Sequence, residues 1–182
     1  EAAKNNEIIG NKLSVKPEVV GRWNYMAVKT LDEALYGADL VVISILPGTF
    51  DEMYSDVHAP EKYGIYQSVG DTTGPGGLIR GLRTVPMYVE FAEGIKKNCP
   101  DAWVINYTNP MAICLKSLYE VFPKIKAFGC CHEVFGTQEL LVDVVKHYIG
   151  EDKEITRRDI KVNVLGINHF TWFDKASYNS ID

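Results

Sequence analysis

Two tetrapeptides, Gly-Cys-Cys-His at Gly129–His132 and Gly-Ile-Asn-His at Gly166–His169, set metal-competent side chains beside groups that hydrogen-bond or move protons. A thiolate and a neutral imidazole are competent ligands for a divalent transition metal, which makes Cys131 and His169 candidate ligands. A structural zinc site uses four protein ligands, typically with a close Cys-x-x-Cys pair, and the sequence has no such pair. Two ligands leave coordination positions open, as a catalytic metal requires. Packing is the competing explanation on spacing alone, because cysteine is among the most buried residue types. A histidine can likewise be a satisfied core residue.

These side chains need a scaffold, and the chain alternates apolar runs with helical spacing. Leu31–Tyr36 has a helical pattern that stops at Gly37, and Leu40–Leu46 is a nearly continuous branched apolar run. Such a run predicts a strand buried on both faces of a parallel sheet. Leu78–Lys97 is amphipathic, with Leu82, Val85, Val89 and Ile95 on one side, and Pro86 is expected to kink it or start a second helix. Trp103–Tyr107 reads as a strand, Met111–Phe122 as a helix and Ile125–Phe128 as a third strand. Alternation of this kind predicts an α/β fold with a Rossmann-like parallel sheet. Ligands of such sheets gather beyond the carboxyl ends of the strands. Pro47-Gly48, Thr108-Asn109-Pro110 and Gly129–His132 all fall there. After a helix over Thr137–Tyr148 the texture changes, and Asp159–Gly166 and Asn168–Phe173 read as antiparallel strands of a second, α+β domain. The expected division is residues 1–128 and 129–182.

A net charge of −5 without a Lys/Arg cluster argues against a nucleic-acid partner. No apolar run reaches the roughly 18–20 residues that span a bilayer. The four cysteines lack a disulfide-scaffold spacing, which points to a reducing cytoplasm. Asn106-Tyr107-Thr108 matches a glycosylation sequon but lies within a strand candidate and is set aside. Glu1–Gly10 reads as the middle of an element and Ser180–Asp182 has no terminal element, so the sequence is expected to be a piece of a longer chain.

Five ordered motifs carry a resemblance: Gly37–Ile45, Gly70–Gly77 (Gly-Asp-Thr-Thr-Gly-Pro-Gly-Gly), Asn106–Met111, Gly129–Glu133 and Gly166–Phe170. Over about Asp39 to Phe173 the chain resembles the family 4 glycosidases, and Tyr63–Gly77 is most similar to their α-galacturonidase branch, with the α-galactosidase branch next. The resemblance implies NAD and a divalent metal, usually manganese, as cofactors, with Cys131 and His169 on the metal. It implies Asn109 and Asn168 as sugar contacts (Asn168 alternatively bracing the metal site) and Leu46, Pro47 and Asn109 beside the dinucleotide. His132 would donate the proton to the leaving group, with support of the metal ligands as its other reading. Asp71 would tune the catalytic base, with capping of the Thr72–Gly77 turn as the alternative. The family's base, and the glycine-rich turn that holds the pyrophosphate, have no counterpart within these residues. Some members place an arginine near Ser55; this chain does not. Arg80 and Arg83 could pair with a carboxylate, although a solvated helix surface is expected for at least one of them.

The chemistry implied is oxidation of the sugar at C3, elimination of the C1 substituent, water addition and re-reduction. This family is an exception to the two-carboxylate mechanism of glycoside hydrolysis. A homo-oligomer, dimer or tetramer, is expected. A lactate/malate-type NAD-dependent dehydrogenase is the alternative enzyme class, and a non-catalytic binding fragment the other.

Overall fold

The computed structural model describes residues 1–150 and 154–179; the expectation about Ser180–Asp182 lies outside them. Helix α1 spans Ala2–Ser14, and α2 spans Leu31–Leu35. The short α2 starts where it does because Thr30 and Glu33 close a reciprocal capping box, which satisfies two amide donors the helix cannot. Strand β1 (Leu40–Ile43) follows, then α3 (Phe50–His58), capped in the same way by Thr49 and Glu52, and a 3-10 turn at Ala59–Tyr63. The long α4 runs Gly74–Asn98. Strand β2 (Trp103–Asn106), α5 (Met111–Val121), β3 (Lys126–Gly129) and α6 (Glu133–Ile149) complete the alternation. Strands β1, β2 and β3 pair in that order, all parallel. A 3-10 turn at Arg157–Asp159 leads into β4 (Ile160–Ile167) and β5 (Phe170–Tyr178), an antiparallel hairpin. The α/β class and the change to an antiparallel sheet are as the sequence predicts.

The core lies between the sheet, α4 and α5. Tyr88, Ala92 and Ile95 of α4, Val104 of β2, and Cys114 and Leu118 of α5 have no exposed surface. Full burial of a large apolar side chain contributes about 1.5–3 kcal/mol, so these residues fix α4 firmly on the sheet. Several expectations are corrected here. The first strand ends at Ile43, and Leu40 and Val42 are exposed, because they lie on a face of the sheet that leaves Trp103 of β2 and Phe128 of β3 exposed as well. Helix α4 is a single helix that begins at Gly74 and passes through Pro86. Pro86 and Leu82, four residues before it, both lie on the exposed side, where a missing amide donor leaves the preceding turn to water. The inward face is therefore Thr84, Tyr88, Ala92 and Ile95 rather than one containing Leu82. Helix α6 starts at Glu133, four residues before the expected Thr137.

A buried polar network ties the ends of β1 and β2 together. The Tyr88 hydroxyl donates to Asn106 Oδ1, and Asn106 Nδ2 donates to the Thr108 carbonyl at 2.9 Å. Thr108 Oγ1 accepts from the Ile45 amide at 2.9 Å. The would-be sequon asparagine is thus a completely buried pin of the loop that carries Asn109. Burial pushes the Tyr88 phenol far above its usual range, so it stays a neutral donor. Tyr88→Phe leaves part of this network unsatisfied, and a loss of about 1–3 kcal/mol is expected. Urea denaturation of the two proteins measures it.

Candidate metal centre

Three segments meet at one imidazole: the loop before α4, the end of β3 and the β4–β5 hairpin. His169 sits in the two-residue turn between β4 and β5, where Ile167 pairs with Phe170. Asn168, expected as a strand residue, is in the turn as well. The hairpin can tighten here because Gly166 has φ +110 and its missing Cβ would collide with the Phe170 carbonyl, so only glycine fits. His169 itself has φ 57. Non-glycine residues in this region cluster at functional sites, since surrounding contacts must hold them there.

Those contacts are present. Asp71 Oδ1 lies 2.7 Å from His169 Nδ1. A carboxylate only accepts, so Nδ1 carries the proton. The other ring nitrogen, Nε2, lies 3.4 Å from Cys131 Sγ. With Nδ1 protonated, the Nε2 lone pair of a neutral ring is left for a metal, the arrangement by which carboxylates orient metal-binding histidines. The sulfur also accepts the Glu133 amide at 3.4 Å. Glu133 Oε2 accepts from the His169 amide at 3.2 Å and from Thr171 Oγ1 at 2.9 Å. Cys131, Glu133 and His169 each offer a ligand atom within 4.8 Å of the others.

Asp71 is held from behind. It is 7% exposed, and Arg80 Nη1 lies 4.0 Å from its Oδ2. Gly77 allows the approach of this loop, since a Cβ there would stand 2.9 Å from the Thr72 carbonyl carbon. Thr72 Oγ1 donates to Asn168 Oδ1 at 3.2 Å, a second tie between the loop and the hairpin turn. Arg83 pairs with the buried Asp56 of α3, Nη1 to Oδ1 at 3.1 Å. Neither arginine is a solvated helix surface, contrary to expectation: both face carboxylates across packed segments. Asp71 does not cap α4, whose N-cap is Thr73.

The remaining expected residues stand at strand ends. Asn109 follows β2, and its Oδ1 is buried with no hydrogen-bond partner among the described residues. Leu46 and Pro47 follow β1, with Pro47 fully buried. His132 is exposed at the N-cap of α6 and makes no side-chain cap bond. Sequence reading missed Glu133, Thr72 and Thr171. The one available signal was that Glu133 closes the Gly129–Glu133 motif two residues after a ligand. All four cysteines are free, and among the described residues no helix is long and apolar enough to cross a membrane.

A parallel α/β sheet with a thiol, an imidazole and a carboxylate gathered near one another beyond its strand ends is an α/β scaffold with a candidate metal centre. Residues 1–147 match the sequence family described as family 4 glycosyl hydrolase, and the chain belongs to that family. An α-galacturonidase of Thermoanaerobacterium saccharolyticum is 66% identical over 182 residues, all of this chain and 39% of that protein. The chain thus spans about two fifths of such relatives. A crystal structure of a Bacillus subtilis protein superposes with a TM-score of 0.87 at 60% identity, over 100% of this chain and 40% of that one. A 6-phospho-α-glucosidase from gut microorganisms, solved with NAD and Mn2+, gives a TM-score of 0.74 at 21% identity over 99% of this chain and 38% of its own. That last likeness shows the fold.

The hydrogen bonds of His169 have a consequence for pH. Burial opposes the imidazolium, but the bonds to Asp71 and Cys131 outweigh it, and the pKa is raised above its ordinary 6.5. A folded-state pKa above the unfolded one gives stability that is present in full below about 6.5 and is lost as pH rises through the raised value. In metal-free full chain, the denaturation free-energy difference between wild type and His169→Gln is therefore expected to be largest below pH 6.5 and to shrink at higher pH. Denaturant titrations across pH 5–9 check this. Metal affinity should run the opposite way, rising with pH, because the metal displaces the proton.

Proposed function

We propose that this chain is part of an α-galacturonidase. The observation that carries the reaction type is the metal-ready pair, Cys131 Sγ 3.4 Å from His169 Nε2 with Nδ1 fixed by Asp71. The sugar assignment is supported by the 66% identity to an α-galacturonidase over the whole chain. Residues 1–128 are read as part of an NAD-binding domain and 129–182 as the start of the substrate domain.

The centre suits a divalent metal: a sulfur that ligates as thiolate, an imidazole nitrogen whose ring is oriented by Asp71, and open positions for oxygen ligands. When bound, the metal would supply Lewis acidity at sugar oxygens, and NAD would accept the hydride from C3 and return it, so NAD would not be consumed. Cys131 and His169 hold the metal. Asp71 keeps the imidazole in its ligating tautomer, which makes its role positioning rather than proton transfer. Asn109, with its unpartnered carbonyl oxygen, accepts from a sugar or ribose hydroxyl at the end of β2, beside Leu46 and Pro47. Asn168 braces the turn through Thr72 and presents its amide to the sugar. His132, exposed at the N-cap of α6 with no side-chain cap bond, donates a proton to the departing oxygen as general acid.

In the full chain, Cys131→Ala or His169→Ala should abolish release of galacturonate from an α-galacturonide while circular dichroism stays native. Full activity of either variant after chelation and Mn2+ add-back would remove these residues from the metal. Hydrolysis in heavy water with catalytic NAD should place deuterium at C2 of the released sugar, as elimination requires and direct displacement does not. Net NADH production from a simple hydroxy acid would instead indicate a lactate/malate-type dehydrogenase. Faster turnover of an α-galactoside than of the galacturonide would move the assignment to the α-galactosidase branch.

A further inference from the structure

We propose that Glu133 is a third protein ligand of the metal held by Cys131 and His169. The proposal rests on the reading of those two residues as ligands. Its basis is the asymmetric use of the Glu133 carboxylate. Oε2 accepts both the His169 amide, at 3.2 Å, and Thr171 Oγ1, at 2.9 Å. Among the described residues, Oε1 accepts no hydrogen bond. The carboxylate is thus oriented through one oxygen and left with the lone pairs of the other, and ligating carboxylates are characteristically held by such outer hydrogen bonds. A Glu133 oxygen, Cys131 Sγ and a His169 ring nitrogen all lie within 4.8 Å of one another, which lets one cation reach all three.

The chemistry of the donor set agrees. Thiolate and imidazole favour the softer divalent ions, whereas carboxylate oxygen suits manganese and magnesium. A sulfur–nitrogen pair alone gives little reason for manganese, and a carboxylate supplies the missing hard donor. Thiolate and carboxylate together also neutralise the charge of a dication, which neither does singly. Local structure explains why the three atoms stay together. Glu133 opens α6 immediately after the Cys131-His132 pair, its own amide donates to Cys131 Sγ, and its carboxylate fixes the left-handed backbone of His169.

The test uses chelator-stripped full chain titrated with Mn2+, followed by the electron paramagnetic resonance of the free ion, and with Zn2+ in competition. Glu133→Gln keeps an oxygen for the His169 amide and Thr171 but loses the anionic ligand. Its Mn2+ affinity should fall by more than the roughly 10–100-fold caused by losing a hydrogen-bond partner of a ligand, and its preference should move from Mn2+ toward Zn2+. Thr171→Val, which removes only one bond to Oε2, should stay within that range and keep the wild-type preference. Glu133→Asp withdraws the oxygen by one methylene while keeping the charge, and gives the same shift should the amide variant not fold. Unchanged Mn2+ binding by Glu133→Gln, or equal losses for both metals no larger than those of Thr171→Val, would overturn the proposal. A wild type that binds no metal, or undiminished binding by Cys131→Ala, would instead overturn the reading of Cys131 and His169, and the third ligand with it.

Discussion

The rest of the site depends on a single ring held from two sides. Asp71 engages Nδ1 of His169 from 98 positions away and Cys131 faces Nε2 from 38 positions away. An imidazole has one plane, so both partners must lie in it at once. Its backbone is also confined, being at φ 57 in a turn with glycine before it. A small displacement of any one segment breaks a bond that the others cannot restore. The parallel sheet, the loop before α4 and the hairpin are thereby required to meet at one point.

Helix α4 is how that requirement is met. Its middle is anchored by Tyr88, Ala92 and Ile95, which have no exposed surface. Its first turn packs against the Gly70–Thr72 loop at Gly77 and places Arg80 behind Asp71. The same helix, through Arg83, holds the buried Asp56 of α3. Removing one partner of such a buried ion pair strands a charge, at a cost of about 3–5 kcal/mol. Core rigidity is therefore transmitted along one helix to the carboxylate that orients the His169 ring. The opposite wall is built with less packing: the hairpin exposes Leu165, Phe170 and Trp172 and reaches the site through hydrogen bonds to Asp71, Thr72 and Glu133.

Two acceptors of the site region keep an unfilled capacity. Asn109 Oδ1 is buried and unpartnered, at the carboxyl end of β2 where α/β sheets receive ligands. Tyr88, Asn106 and Thr108 fix that loop from beneath, leaving the Asn109 carbonyl as the group without a partner. Likewise the Glu133 carboxylate is bonded at one oxygen only. Both are acceptors, the kind of group that a cation or a hydroxyl donor can satisfy.

The sequence by itself determined the class of fold and the chemical types at the site. Buried strands announce themselves by composition, because a strand packed on both sides needs branched apolar residues in nearly every position. Cys131 and His169 stand out in the sequence as candidate ligands because few side chains bind metals and their motifs resemble a family pattern. Element ends were less legible, since the start of α6 at Glu133 and the unbroken passage of α4 through Pro86 depend on which side faces water. What only the tertiary structure decided is which distant residues touch. Asp71 reads locally as a turn residue, Glu133 as the last residue of a motif ahead of a helix, and Arg80 as a helix-surface charge. Their pairing with His169 and with each other arises from helix–sheet packing and a hairpin turn acting across many intervening residues. Local spacing encodes the period of an element, but contacts between elements are set by how their buried faces fit together.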